Sequence, residues 1–312
     1  MDITFGMMFE QMAGIFLLLF IGYVLKRYFI LPDEAGTVLS QVTTKLFLPA
    51  LIFYTFMEEC TVANLQEYGS WMFIGAVFQA IGIALGIVLS KWLAKGDELL
   101  SGIIRYVIAF PNTGAVGTPV VLALFGHLGL FQYQLFTLSA TITCYGWGVA
   151  QLAPPQYRHT PKDQWKQIVT PVNVAMALGG VFGLTGIGSR LPQIVHTTIQ
   201  NIGACYSVVA IIVAGFIIGK YHLFKLLRDK MAYLISIIRL VIIPIAFLLA
   251  LRLLKVPDML LTLACLTFAC PCGVNSIVYP VSYGQDAYAG ASLVLITSVL
   301  SVFTIPLLFV II

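Results

Sequence analysis

Two short stretches carry the residues that could do chemistry. The first is Pro111-Asn112-Thr113-Gly114-Ala115-Val116-Gly117-Thr118-Pro119, inside an apolar run over residues 101–126. The second is Cys270-Pro271-Cys272-Gly273-Val274-Asn275-Ser276, inside an apolar run over residues 260–283. Pro111 and Pro271 have no N–H, so neither continues a regular helical bond across its turn. Gly114, Gly117 and Gly273 permit backbone geometry that other residues resist. Such a stretch within membrane-grade flanks predicts a broken helix, whose unpaired backbone persists only beside protein or a wet cavity. The helix that restarts after each break carries free N–H groups and about half a positive charge, which attracts an anion. Asn112 with Thr113 is expected to open one restarted helix, and Gly273, Asn275 and Ser276 the other. The amides of Asn112 and Asn275 can donate to a carboxylate or accept from a protonated one. They can equally cap the broken ends, and one residue can do both.

Charge within the apolar runs is rare. Lys45, Arg105 and Arg239 each fall inside one, at about 2.5–3.5 kcal/mol apiece if placed at a helix centre. Lys45, between Thr43-Thr44 and Leu46-Phe47, is expected to contact substrate. Arg239 is a candidate for coupling or charge balance, as is the acidic Glu10. Arg105 lies near its loop and could snorkel. Deep paired carboxylates, as a proton exchanger would need, are absent from the sequence. The cysteines at 60, 144, 205, 265, 270 and 272 read as buried small hydrophobes. Cys270-Pro271-Cys272 suits soft Cu(I), but no phosphorylation motif or phosphate loop accompanies it, so no metal and no cofactor is expected. Sodium or proton coupling stays open. The four histidines have no metal spacing, and no hydrolase constellation surrounds either break, so an enzyme is not expected.

These stretches must be held by a membrane-spanning scaffold. The 312 residues are 60% hydrophobic and 10% charged, with a mean hydropathy of +0.97. Soluble domains carry about 25% charge. At about 20 residues per crossing, ten spans are predicted: 5–28, 35–57, 71–94, the broken 101–126, 129–152, 171–188, 195–220, 231–254, the broken 259–283 and 287–312. Pro32 and Pro192 repeat the 160-residue offset of Pro111 and Pro271, which predicts a duplicated chain: residues 1–152, a linker 153–170, and residues 171–312. Lys26, Arg27, Lys91, Lys95, Arg158, Lys162, Lys166, Lys220, Lys225, Arg228 and Lys230 fall on one side of these spans. Arg190, Arg252 and Lys255 fall on the other. The basic side is cytoplasmic, which puts both termini outside. Five spans per copy then force the second copy to insert upside down, as in secondary transporters with discontinuous helices. The start Met1-Asp2-Ile3-Thr4 lacks a basic signal region. The net charge of +4 comes with no basic arm or recognition motif, so nucleic acid is not an expected partner.

The sequence around the first break, Ala109-Phe110-Pro111-Asn112-Thr113-Gly114-Ala115-Val116-Gly117-Thr118-Pro119, resembles the Pro-Asn-x-Gly-x-x-Gly-x-Pro signature of the auxin efflux carrier family, which includes the plant PIN-FORMED carriers and bacterial permeases. Leu46-x-Leu48-Pro49-Ala50-Leu51-Ile52-Phe53 and Thr297-Ser298-Val299-Leu300-Ser301-Val302-Phe303-Thr304-Ile305-Pro306 resemble it too. The resemblance implies a ten-helix fold like those of bile-acid symporters and sodium/proton antiporters. A scaffold of spans 1, 2, 6 and 7 would face a transport domain of spans 3–5 and 8–10, with helices 4 and 9 crossing. It implies a small organic carboxylate as substrate (malate, malonate or an auxin-like acid), moved by elevator-type alternating access in the plasma membrane, and a homodimer. Pro111, Asn112, Thr113, Gly114, Pro271, Gly273, Asn275, Ser276 and Lys45 are the expected substrate contacts. The chain departs from the family at Cys270 and Cys272, and at Val281-Ser282, where a Lys or Glu would be expected. Its short linker resembles bacterial members. A receptor that binds a lipid or small ligand at the same crossover without transporting it is the alternative.

Overall fold

A computed structural model describes residues 5–154, 169–220 and 223–311. Most of the 153–170 linker, including Arg158, His159, Lys162 and Lys166, lies outside the described residues, as do Met1-Asp2-Ile3-Thr4 and His222. The described chain is helical, with no strand beyond one isolated bridge between Pro111 and Cys272. The helices used below are α1 (Phe5–Arg27), α2 (Ala35–Glu59), α3 (Trp71–Leu93), α4 (Glu98–Ala109), α5 (Thr113–Gln151), α6 (Pro171–Thr185), α7 (Gln193–Ile218), α8 (Lys230–Leu253), α9 (Asp258–Ala269), α10 (Asn275–Ser282) and α11 (Tyr288–Ile311). Six of them, α2, α3, α5, α7, α8 and most of α11, are long and apolar enough to cross a membrane. The protein is a multi-pass integral membrane protein.

One of the six is longer than a single crossing. α5 spans 39 residues, about 58 Å if straight. It is interrupted at Gly126, whose φ of 65° and ψ of −161° lie outside helical space and suit glycine alone. The Tyr133 hydroxyl lies 3.4 Å from the Thr113 carbonyl oxygen, twenty residues back. A straight helix would hold them about 30 Å apart. The chain therefore reverses at Gly126, and α5 is a hairpin of two arms, 113–125 and 127–151.

α4 and α9 have 12 residues each, about 18 Å or little more than half a bilayer core. Their sequences explain the stops. Pro111 removes the N–H that the Val107 carbonyl would otherwise accept, and Pro271 does the same to Thr267. Both helices are buried nearly all round. Ile103, Ile104 and Val107 in α4, and Leu260, Leu263, Ala264, Cys265, Leu266 and Ala269 in α9, are fully buried. With α11 and α8 they form the main core. α2 lies against α6 and α7, and α1 against α7. A smaller apolar cluster, with Ile52 and Phe56 of α2, Phe131 and Leu135 of α5 and Met176 of α6, joins that group to the hairpin. Three helices contain one-turn π segments, α2 at Thr43–Phe47, α5 at Thr113–Gly117 and Cys144–Gly148, and α8 at Ile238–Ile242. Such bulges are found mostly at functional positions.

Candidate functional site

The two breaks meet. Pro111 and Cys272 form an antiparallel bridge, and the Asn112 N–H donates to the Pro271 carbonyl at 2.8 Å. Two segments 160 residues apart thus satisfy each other's backbone where neither can be helical.

On the first strand of this crossing, Asn112 caps the arm that follows. Its Oδ1 accepts from the Ala115 N–H at 3.1 Å, and its carbonyl accepts from the N–H groups of Val116 and Gly117. Its amide nitrogen has no protein partner among the described residues. Gly117 lies against the Tyr133 ring, where any Cβ would collide with the hydroxyl. On the second strand the polar groups are committed. The Cys272 N–H donates to Thr297 Oγ1 at 3.0 Å. Asn275 Nδ2 donates to the Tyr106 hydroxyl at 3.0 Å, which also lies 3.4 Å from Cys144 Sγ. Ser276 Oγ donates to the Gly273 carbonyl at 2.8 Å. α10 has no side-chain cap.

A cavity of about 260 Å³ opens beside the crossing. Pro111, Asn112, Thr113 and Gly114 line it from the first break, and Gly273 and Asn275 from the second. Thr43 and Thr44 of α2, and Tyr206 of α7, close the facing wall. Among the described residues no Lys, Arg, His, Asp or Glu lines it. Fixed charge at this site therefore comes from helix ends. The first turns of α5 and α10 begin here, and each helix start carries about half a positive charge.

The remaining expected residues lie elsewhere. Pro271 and Ser276 are buried behind the cavity wall. Lys45 is exposed on α2 and does not line the cavity. The neighbours Thr43 and Thr44 take that face, and the next residue on a helix points about 100° away. Glu10 is exposed on α1. Arg239 is 1% exposed and lies outside the cavity lining. Arg105 donates to Ser90 Oγ at 3.0 Å and to Gln151 Oε1 at 3.2 Å. Sequence reasoning missed Tyr106, Tyr206 and Thr297. Tyr106 had a usable signal, since it lies five residues before Pro111, in the turn that approaches the break.

At the end of α2 that is remote from Lys26 and Arg27, the hairpin corner is sealed. His127 Nδ1 lies 3.1 Å from Thr55 Oγ1. The Tyr54 ring stands edge-on to those of His127 and His196, at 4.9 and 5.2 Å. His196 Nε2 lies 2.9 Å from Glu58 Oε1. Phe56 and Phe131 pack edge to face one turn deeper.

A sequence profile described as membrane transport protein matches residues 7–164 and 155–309. The chain is 24% identical to an uncharacterized transporter of Methanothermobacter thermautotrophicus over 310 residues, covering 96% of each chain. It is 32% identical to an uncharacterized transporter of Methanocaldococcus jannaschii over 120 residues, 37% of this chain and 38% of that one. The profile spans nearly the whole sequence, both breaks included, and the chain belongs to this membrane transport protein family, the auxin efflux carriers that its crossover residues resemble.

Proposed function

We propose that the protein is a secondary transporter of a small organic carboxylate, working by alternating access. The carrying observation is the pairing of two helix breaks beside a cavity that Asn112 lines, its amide nitrogen without a protein partner among the described residues. The carboxylate binds against that amide and the N-terminal ends of α5 and α10. A cavity of about 260 Å³ suits a small acid. Counting α4 with the first arm of α5, the second arm of α5 alone, and α9 with α10 gives ten crossings in two inverted five-helix repeats. α1, α2, α6 and α7 form the scaffold. The remaining helices form the moving body, and the cavity lies on the boundary.

The cavity residues Ser40, Thr44, Thr141 and Ile217 occupy the ends of their helices nearest Lys26, Arg27, Gln151 and Lys220. The opposite end is closed by Tyr54, Thr55 and Phe56 against His127 and Phe131. This supports a state open toward the cytoplasm of a plasma membrane, with both termini outside. A second copy of the chain and the membrane lipids are the expected neighbours.

The test is binding and counterflow of mono- and dicarboxylates by the purified protein in liposomes. One acid is expected to raise Tm by mass action and to exchange across the bilayer. Binding without exchange would replace the transporter reading with that of a receptor. Binding unchanged by Asn112→Asp would remove the site.

A further inference from the structure

Arg239 is the largest fully buried side chain of the described structure. It comes from the π turn Ile238–Ile242 of α8. No carboxylate pairs with it among the described residues. Its Nε donates to the Val107 carbonyl at 3.1 Å, and its Nη1 to the Phe268 carbonyl at 2.5 Å. Nη2 is buried with no partner among the described residues. A buried guanidinium without a counter-ion is costly unless something negative surrounds it.

The two acceptors supply that. Val107 sits in the last turn of α4, and the residue four further on is Pro111, which has no N–H to give it. Phe268 sits in the last turn of α9, and the residue four further on is Cys272, whose N–H goes to Thr297 Oγ1 instead. Each carbonyl is orphaned by its own break, and one side chain bonds to both. Each helix also ends with about half a negative charge. Two such ends side by side amount to roughly one negative charge, which one guanidinium balances. A neutral donor would satisfy the carbonyls and leave that charge standing.

In carriers built on discontinuous helices, carbonyls and half-helix C-terminal ends are where a coupling sodium ion or proton binds. Here that position is taken. We infer that Arg239 is the resident cation of the crossover: its guanidinium holds the C-terminal ends of α4 and α9 together and stands where a monovalent cation would otherwise sit, so the crossover binds its anion without sodium. As a statement about coupling this rests on the transport reading. As a statement about occupancy it does not.

Thermal unfolding of the purified full-length protein tests it without any substrate. At matched ionic strength the wild-type Tm is the same in sodium and choline chloride. Arg239→Ala lowers Tm by about 5 °C or more, as expected when orphaned helix ends are left buried. Low-millimolar guanidinium, far below its denaturing range, restores at least half of that loss, while equal urea or choline restores none. A purely structural arginine gives no such selective rescue, because filling lost volume does not depend on the added ion. If Arg239→Ala does not fold, Arg239→Lys retains the charge and one carbonyl bond, and its Tm falls below wild type while staying independent of sodium. A saturable, sodium-specific rise in the wild-type protein overturns the inference, and so does an Arg239→Ala chain that guanidinium leaves unmoved. Neither outcome touches the Asn112 site, and loss of that site leaves these readouts intact.

Discussion

The two breaks begin from the same chemistry and end in different states. Each has a proline that stops a 12-residue helix and an asparagine within four residues of it. At the first break Asn112 uses its side-chain carbonyl oxygen to cap its own helix and leaves its amide nitrogen without a protein partner among the described residues. At the second, Asn275 gives its amide nitrogen to Tyr106, and the backbone is held by Thr297. The first break leaves a side-chain donor unpaired among the described residues, and the second has its donor committed to the protein. Two breaks of similar sequence thus differ in which polar groups their surroundings leave unpaired.

That asymmetry can be broken most sharply at Asn112. Asp caps a helix as well as Asn does, so Asn112→Asp leaves Tm within about 2 °C. It also replaces the free donor with an acceptor that repels a carboxylate, and weakens binding of the acid by roughly 100-fold or more. Equal losses of Tm and affinity would mean that Asn112 is only a cap.

Thr297→Val probes the second break from behind. It leaves the buried Cys272 N–H without an acceptor, at about 1–3 kcal/mol, which should lower Tm by several degrees while changing ligand Kd by less than about threefold. Tyr106→Phe is milder. It releases the Asn275 amide and removes one hydrogen bond worth about 1 kcal/mol, so a titration should again show a Kd within about threefold of wild type. Were it to match Asn112→Asp, the two asparagines would be equivalent and the contrast would fail.

A control away from both breaks sets the smallest effect. The exposed Asp33 carboxyl is held below the usual carboxylate range by its hydrogen bond and charge contact with the Lys26 ammonium. A lowered folded value means that the stabilisation is present above the unfolded pKa of about 3.9 and is lost as pH falls through the folded one. The Tm gap between wild type and Asp33→Asn should be small at neutral pH and close in acid, and neither variant should differ in ligand affinity.

Much of this organisation is legible in the sequence. Pro111 and Pro271 mark where helices stop, because a missing N–H is a local fact. Gly126 falls where the first broken run ends. The direction that a side chain faces is less legible. In water an apolar stripe separates core from solvent. In lipid both faces are apolar, and α1 and α11 carry almost no amphipathic signal. Lys45 therefore drew attention by its cost, while its neighbours Thr43 and Thr44 reach the cavity. Arg239 was conspicuous for the same reason, but its partners are backbone carbonyls on two other helices, which no side-chain pattern encodes. The division between Asn112 and Asn275 depends on Tyr106 being nearby, and only the crossing brings it there.

The corner at Gly126 reverses the chain in a single residue, with helix on both sides. It contains no slack. A loop of several residues could let the Asn112 arm tilt or slide while its companion stayed still, in the manner of a flap. A one-residue corner transmits displacement the way a folded strip of metal does, so an arm that moves must take the other with it. The hairpin is therefore one stiff unit, and its seat against α2 and α7 is a seam between packed walls rather than the hinge of a flap.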